Sequence, residues 1–536
     1  MEPSSKSAGR RRRFGDDGQP QKGKTMTARR PLHILLITAD QWRGDTLGAA
    51  GHPLVRTPNI DALAAEGTFF RRHYANASPC GPSRASLLAG LYPHNHRSIR
   101  NGTPLDARFT NVALEARKAG YDPVLFGYTD SSADPRELPP GDPRLETYEG
   151  VLPGFTVGVR LPEDAKPWLA SLKAKGYVVP GPGHEIYRPD PAAVTPDKGP
   201  TYAPARFRAE DSETHWLTDR VIEHLSMQGE QSFFVHLSYL RPHPPFIAPE
   251  PYNAMYDPDD VPAPLRGDIE AEKAQHPLLK AMLEAIPQSA FFQHGEGLAA
   301  DMSERDMRQL RATYYALLSE VDDNLGRLFG FLKREGLWED TLVILTSDHG
   351  EMLGDHFLLG KQGWFDAAFH IPLIVRSPGA DGGRQVTDFT ESVDVMPTIL
   401  DALGLDVPDQ CDGRPLTGFL EGRPAPADWR DAACFLFDFR DARLPLLQKP
   451  LGLKADHCTL MAMRGERWKY VHFTALPPLL FDMDRDPQET RNLATDPAHA
   501  GVMLECAQRL LSWRMEHEYG ALANLMLGPG GVVRGR

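Results

Sequence analysis

Cysteine is scarce in this sequence: five in 536 residues, at positions 80, 411, 434, 458 and 506. Their number is odd, their spacing irregular, and no C-x-x-C pair occurs. A disulfide framework, a zinc finger and a thioredoxin-like redox motif are thereby excluded. Reduced thiols in a cytoplasm fit this usage. No apolar run approaches the roughly 18 residues a membrane helix needs. Positive charge is in deficit, 59 Lys and Arg against 72 Asp and Glu, for a net charge of −13. That argues against a surface built to bind nucleic acid, while leaving room for a locally positive pocket that takes a small anion. Internal repeats are absent. What remains is an ordinary globular balance, 41% hydrophobic and 24% charged, in a chain long enough to bury a large core without a staple.

Residues 1–30 are basic and polar. Arg10 to Arg13 with Phe14 bear a faint likeness to a twin-arginine signal, but the following GDDGQPQKGK is the opposite of an apolar signal core. A disordered tail is expected there, with Met26 as an alternative start. Leu32 to Thr38 is a short apolar run ending in Asp40, the pattern of a buried strand. Thr57-Pro58 to Ala65, stopped by Gly67, reads as a helix with a capping residue and an early proline. Asn111 to Ala119 is a second helix, and Pro123 to Tyr128 and Phe233 to Tyr239 are further strands. Met302 to Arg334 carries an apolar stripe at helical spacing behind Ser303. Thr341 to Thr346 is an apolar strand followed by Ser347-Asp348-His349, and Ile371 to Arg376 is another. Residues 132–205, rich in Pro, Gly and Asp, read as long insertions. The alternation predicts an α/β fold with a mostly parallel sheet and helices on both faces. Ligands in such folds bind outside the carboxyl ends of the strands, where Asp40 and Asp348-His349 meet. Beyond about residue 415, short alternating runs at 434–439, 458–463, 468–473 and 479–481 predict a small antiparallel sheet, followed by a helix over 501–517. The expected domains are 31–420 and 425–518, with a glycine-rich tail over 519–536 that reaches a neighbouring subunit or is disordered.

The segment Cys80-Gly81-Pro82-Ser83-Arg84-Ala85-Ser86-Leu87-Leu88-Ala89-Gly90 is the most informative. It reads as a short helix with a cysteine at its start, where the helix terminus lowers a thiol pKa and welcomes anions. Arg84 lies one turn further on. Taken alone, a cysteine there reads first as a small buried hydrophobe. Taken with its surroundings, C-x-P-S-R-x-S-L-L-x-G closely resembles the signature of the sulfatases, members of the alkaline phosphatase superfamily. ITADQWRGD, TPNIDALAAEG, RPHPPF, TSDHGEMLGDH, DFRD and YVHFTALPPLLFD extend the likeness over nearly the whole chain after the tail, and are similar to bacterial phosphonate monoester hydrolases in particular.

The resemblance implies an alkaline-phosphatase-like α/β/α sandwich with a smaller C-terminal α+β domain. It implies that Cys80 is converted by a formylglycine-generating enzyme to formylglycine (3-oxoalanine), whose hydrated aldehyde is the nucleophile. It implies one divalent metal, held by Asp40, Asp348, His349 and modified Cys80. Carboxylates with one imidazole suit a hard or borderline ion, manganese first, with magnesium or calcium as alternatives. Arg84 and Lys361 would stabilise the anion, and His243 would protonate the leaving group. Gln41, Asn101, Tyr128 and Asp130 fall at substrate-pocket positions. Gln41 stands where many sulfatases carry a second aspartate. Asp130 stands where the phosphonate hydrolases carry threonine, and a carboxylate there should repel an anionic substrate unless it is paired or protonated. His94 and His96 read as packing residues. The implied activity is hydrolysis of phosphonate monoesters and phosphodiesters, with arylsulfatase activity on the same scaffold as the alternative. A non-catalytic binding protein would be expected to have lost the nucleophile or ligands, and none is lost. A cytoplasmic homo-oligomer, tetramer or dimer, is expected.

Overall fold

The computed structural model describes residues 32–181, 183–229, 231–441, 446–520, 522–523 and 525–534. The basic tail, including the alternative start at Met26, lies outside them. The main sheet has eight strands: β1 (His33–Ala39), β2 (Thr68–Phe70), β3 (Pro123–Gly127), β4 (Thr156–Arg160), β5 (Phe234–Tyr239), β6 (Thr341–Thr346), β7 (Leu373–Arg376) and β8 (Arg384–Val386). They lie in the order β8-β2-β7-β6-β1-β5-β3-β4. All neighbours are parallel except those of β7, which runs antiparallel to β2 and β6.

The central strand β1 explains itself. Leu35, Ile37 and Ala39 face one apolar layer, Ile34 and Leu36 the other. A strand covered on both faces has no polar side, hence the unbroken run HILLIT. On the first face lie α1 (Pro58–Glu66), α4 (Lys166–Ala174), α5 (Glu213–Ser226) and the 31-residue α6 (Glu304–Arg334); on the second lie α2 (Cys80–Ala89), α3 (Val112–Lys118) and α7 (Val395–Ala402). Side-chain caps open two of the helices read from sequence. Asn111 accepts from the amides of Ala113 and Leu114 at the start of α3, and Ser303 accepts from Asp306 N ahead of α6. Thr57 differs: its hydroxyl makes no cap, accepting instead from Gly48 N at 2.9 Å and donating to Asp61. The stretch 132–205 also differs from its reading as insertion, since β4 and α4 lie within it. Glycine and exposure hide β4. It is an outermost strand with most of its residues solvent-facing, and its Gly158 lies under the Phe126 ring, where a Cβ would come within 2.6 Å.

The second sheet comprises β9 (Ala432–Asp438), β10 (Thr459–Gly465), β11 (Trp468–Phe473) and β12 (Leu479–Asp482), an antiparallel meander followed by α8 (Ala500–Glu516). Its free edge is taken by Ala77–Ser78, which pairs parallel to β9 with Leu436 opposite Ala77 and Phe437 opposite Ser78. The C-terminal sheet is thereby fastened to the residues just before Cys80.

Candidate active site

The site lies at the carboxyl ends of β1 and β6, as the strand endings predict. Asp40 follows β1, Asp348 and His349 follow β6, and Cys80 opens α2. One ligand atom from each of these four lies within 4.8 Å of all the others, and all four residues are buried. Cys80 Sγ is 3.2 Å from His349 Nε2 and 3.8 Å from Asp40 Oδ1. His349 Nδ1 is 3.1 Å from the Gly350 carbonyl, an arrangement that turns Nε2 into the cluster.

Charge balance holds this cluster together. The Arg84 guanidinium donates through Nε to Asp348 Oδ2 (2.9 Å) and through Nη2 to Asp40 Oδ2 (3.1 Å). Its remaining nitrogen reaches Ser238 Oγ (2.7 Å) and the Tyr128 carbonyl (3.1 Å). The Tyr128 hydroxyl donates to Asp40 Oδ2 at 2.6 Å, and its ring lies 4.2 Å from the guanidinium. Arg84 is therefore the counter-charge of two carboxylates. Burial alone would raise Asp348, but His349, Arg84 and Lys361 hold it below the usual carboxylate range; burial and the neighbouring Asp348 raise Asp40. Burial lowers His349 to about 4, so its imidazole is neutral and able to ligate.

The helix terminus does not activate the thiol as the sequence suggested. Burial, with Asp40 beside it, pushes Cys80 well above the ordinary thiol value, over the opposing Lys361. A protonated thiol is a poor nucleophile and a poor ligand. The surroundings fit a metal ion and an oxygen function at residue 80: two carboxylates, one neutral imidazole, and Lys361 Nζ 3.1 Å from Sγ.

Lys361 is fixed from its other side by Gln41 Oε1 at 2.9 Å. Gln41 takes a left-handed φ of 66° and donates its amide to Glu351. Glu351, buried and accepting from the amides of Leu353 and Gly360, orients Gln41 and through it Lys361. Sequence reasoning missed Glu351, although an acid two residues after a candidate ligand was the available signal. Asn101 Oδ1 accepts from Gly81 N at 2.8 Å and so fixes the start of α2. A Cβ at position 81 would be tightly placed, 3.1 Å from Asn101 Oδ1 and 3.2 Å from the Asp130 carbonyl. Asp130, at φ 48°, places Oδ2 4.0 Å from Arg84 Nε. Burial raises its pKa well above the ordinary value, over the pull of Arg84. Burial thus favours the protonated form of this carboxyl, which would tolerate an anion beside it.

His243 sits on the loop after β5. Its Nδ1 lies 2.7 Å from the Pro244 carbonyl, to which it donates, leaving Nε2 for a partner. Burial and the Lys361 charge lower it to about 3. The loop is held from within by Arg241, a second residue the sequence did not flag. Its Nη1 donates to the carbonyls of His243 (2.8 Å) and Pro245 (2.9 Å), and its guanidinium lies 4.4 Å over the Tyr187 ring. Tyr187 in turn donates to Glu213 at the start of α5. His94 and His96 are structural: His94 Nε2 meets the His517 carbonyl at 2.8 Å, and His96 meets Ser86 Oγ at 3.0 Å.

A doubly covered, mostly parallel sheet with this acid–imidazole cluster at its carboxyl edge defines an alkaline-phosphatase-like hydrolase. The sulfatase family model matches residues 33–405, and the model for the C-terminal region of N-sulphoglucosamine sulphohydrolase matches residues 354–516. The chain belongs to the sulfatase family. It is 44% identical, over 94% of its length and 98% of the relative's, to the multifunctional alkaline phosphatase superfamily protein PehA of Trinickia caryophylli. Among solved structures it is similar to the phosphonate monoester hydrolase of Agrobacterium radiobacter, with TM-score 0.90 and 48% identity over 94% of this chain and 100% of that one. It is also similar to that of Silicibacter pomeroyi, with TM-score 0.88 and 40% identity over 94% and 99%. The choline-sulfatase of Rhizobium meliloti is 27% identical over 88% of this chain and 84% of its own length.

Proposed function

We propose that this enzyme hydrolyses phosphonate monoesters and phosphodiesters, with sulfate esters as further substrates. The observation that carries the reading is the buried cluster of Asp40, Cys80, Asp348 and His349, with Lys361 Nζ 3.1 Å from the Cys80 sulfur. Relatives of high identity that are phosphonate monoester hydrolases support the choice of substrate. Asp40, Asp348, His349 and an oxygen on residue 80 would hold one divalent ion, manganese by preference with magnesium or calcium as alternatives; bound there, it supplies Lewis-acid polarisation. Formylglycine at residue 80, made by a separate generating enzyme, supplies a hydroxyl nucleophile and a second hydroxyl that releases the product. Arg84, bonded to both carboxylates, holds them in place and favours their ionised forms. Lys361, held by Gln41, presents its ammonium to the non-bridging oxygens of the substrate. His243 donates a proton from Nε2 to the departing oxygen. Burial first and Lys361 second lower its proton affinity; an anionic substrate beside it opposes the Lys361 charge and favours the imidazolium that this role requires.

Five free thiols support a reducing cytoplasm, and among the described residues no helix is long and apolar enough to cross a membrane. A homo-oligomer is supported by the C-terminal hairpin of Leu525–Gly528 and Gly531–Arg534, beside which Leu522 is 77% exposed and within which Leu527 is 80% exposed.

Two measurements test the mechanism. Mass spectrometry of the peptide carrying residue 80, from active enzyme, should show sulfur replaced by oxygen with two hydrogens fewer; an intact thiol in fully active enzyme contradicts it. Asp348→Asn should abolish stoichiometric metal and lower kcat/KM by about a thousandfold or more; unchanged metal content and rate contradict the ligand assignment.

A further inference from the structure

Beside the nucleophile lies a cavity of about 340 Å³ that none of the catalytic roles above explains. It adjoins the site: Asn101 and Lys361 line it, together with Ser78 and Pro79, the two residues before Cys80. Its walls are apolar and come from elsewhere in the fold. Phe437 and Phe439 arrive from the end of β9, placed there by the pairing of Phe437 with Ser78. Ile286, Leu446 and Leu447 complete them.

Two arginines stand at the cavity, and both are answered by acids. Arg100 Nη2 lies 3.2 Å from Asp441 Oδ2, and its Nη1 donates to the Arg440 carbonyl. Arg440 Nε lies 2.8 Å from Asp438 Oδ1 and its Nη1 3.1 Å from Asp456 Oδ1. Among the described lining residues both arginines are thus paired, Lys361 at the inner end is left for the substrate's own anion, and the apolar walls give few partners to a polyhydroxylated group. Its position separates two parts of a substrate. His243, the group facing the departing oxygen, is not among its lining residues.

We propose that this cavity receives the organic group that stays on phosphorus during the reaction, and that it selects an aryl or branched-alkyl group of phenyl size. The inference rests on the phosphonate reading given above and specifies which ester that site prefers. A sulfate monoester has no retained substituent. The cavity then discriminates among phosphonates and leaves sulfate turnover untouched.

The test uses metal-replete, formylglycine-bearing enzyme and three substrates with one leaving group: para-nitrophenyl phenylphosphonate, para-nitrophenyl methylphosphonate and para-nitrophenyl sulfate. Wild type should prefer the phenyl over the methyl phosphonate by about tenfold or more in kcat/KM, the scale set by filling an apolar pocket. Ile286→Trp, which narrows the cavity, should lower the phenylphosphonate rate about tenfold while sulfate turnover, which also reports folding, changes less than about twofold. Equal wild-type rates for the two phosphonates overturn the inference whether or not the variant folds. So does a parallel fall of phenylphosphonate and sulfate in a folded variant, which would place the leaving group in the cavity. Failure of wild type to turn over either phosphonate would instead contradict the phosphonate reading itself.

Discussion

His243 shows how much a single side chain's role depends on its neighbours. Its identity and its RPHPPF setting suggested an acid, but the structure lowers its pKa to about 3 through burial and the charge of Lys361. To act as the proposed acid it must first take up a proton at Nε2, which the negative charge of a bound substrate favours. The consequence is specific. His243→Ala should slow esters of poor leaving groups by about a hundredfold or more while changing esters of excellent leaving groups only a few-fold, because only the former need protonation. A steady-state series of aryl esters spanning leaving-group acidity reads this as a steeper dependence in the variant. Equal slowing across the series would remove His243 from the acid role. Asp130 teaches the complementary lesson. Its carboxyl reads from sequence as repulsive, and burial, outweighing the nearby Arg84, favours its protonated and therefore uncharged form.

At the scale of elements, histidines serve as fixed hydrogen-bonding parts and so tie stability to pH. His276 caps the helix Pro277–Leu283: its Nδ1 accepts from Leu278 N at 3.2 Å while Nε2 donates to the Pro477 carbonyl at 2.9 Å. In His96, Nδ1 accepts from Ser98 N at 3.0 Å and Nε2 lies 3.0 Å from Ser86 Oγ. Both rings must stay neutral to accept. Burial lowers His276 to about 4 and His96 to about 3. A lowered folded pKa means that the unfolded chain binds protons first as pH falls. The stability these groups contribute is thus full above about 6.5 and is lost below it, at ~1.4 kcal/mol per pH unit for each. The melting temperature should fall between about pH 7 and 5, and His276→Asn, which keeps a cap without a titrating ring, should fall less steeply. An identical pH slope in variant and wild type would contradict this assignment. Legibility at this scale follows burial. β1 and β6 announce themselves because both faces are covered, and α6 because its stripe of Met307, Leu310, Tyr314, Leu317 and Val321 faces one core. β4 stays hidden because an exposed edge strand needs no apolar pattern.

At the scale of the molecule, the sequence separates a large α/β region from a smaller antiparallel one, and the structure shows the two sharing a seam at Ala77–Ser78 and β9. That seam could not be read in advance. A two-residue strand has no periodicity, and its partner lies more than 350 positions away in sequence. The chemistry was legible for the opposite reason. The strand endings and the likeness of the C-x-P-S-R-x-S-L-L-x-G segment to the sulfatase signature singled out Asp40, Cys80, Asp348 and His349 before their positions were known, and the fold brings them together. What burial alone decides was not legible: the protonated thiol at Cys80, the support of Gln41 by Glu351, and the clamp of Arg241 on the His243 loop.

The central claim, a sulfatase-family site turned to phosphonate esters, is tested most directly by a ratio. With metal-replete enzyme produced alongside a formylglycine-generating enzyme, kcat/KM is measured for an aryl phosphonate monoester and an aryl sulfate sharing one leaving group, and the ratio gives the difference in transition-state stabilisation. A preference for the phosphonate of about a hundredfold or more, worth ~2.7 kcal/mol, is expected. A comparable preference for the sulfate would contradict it and make this enzyme an arylsulfatase on the same scaffold.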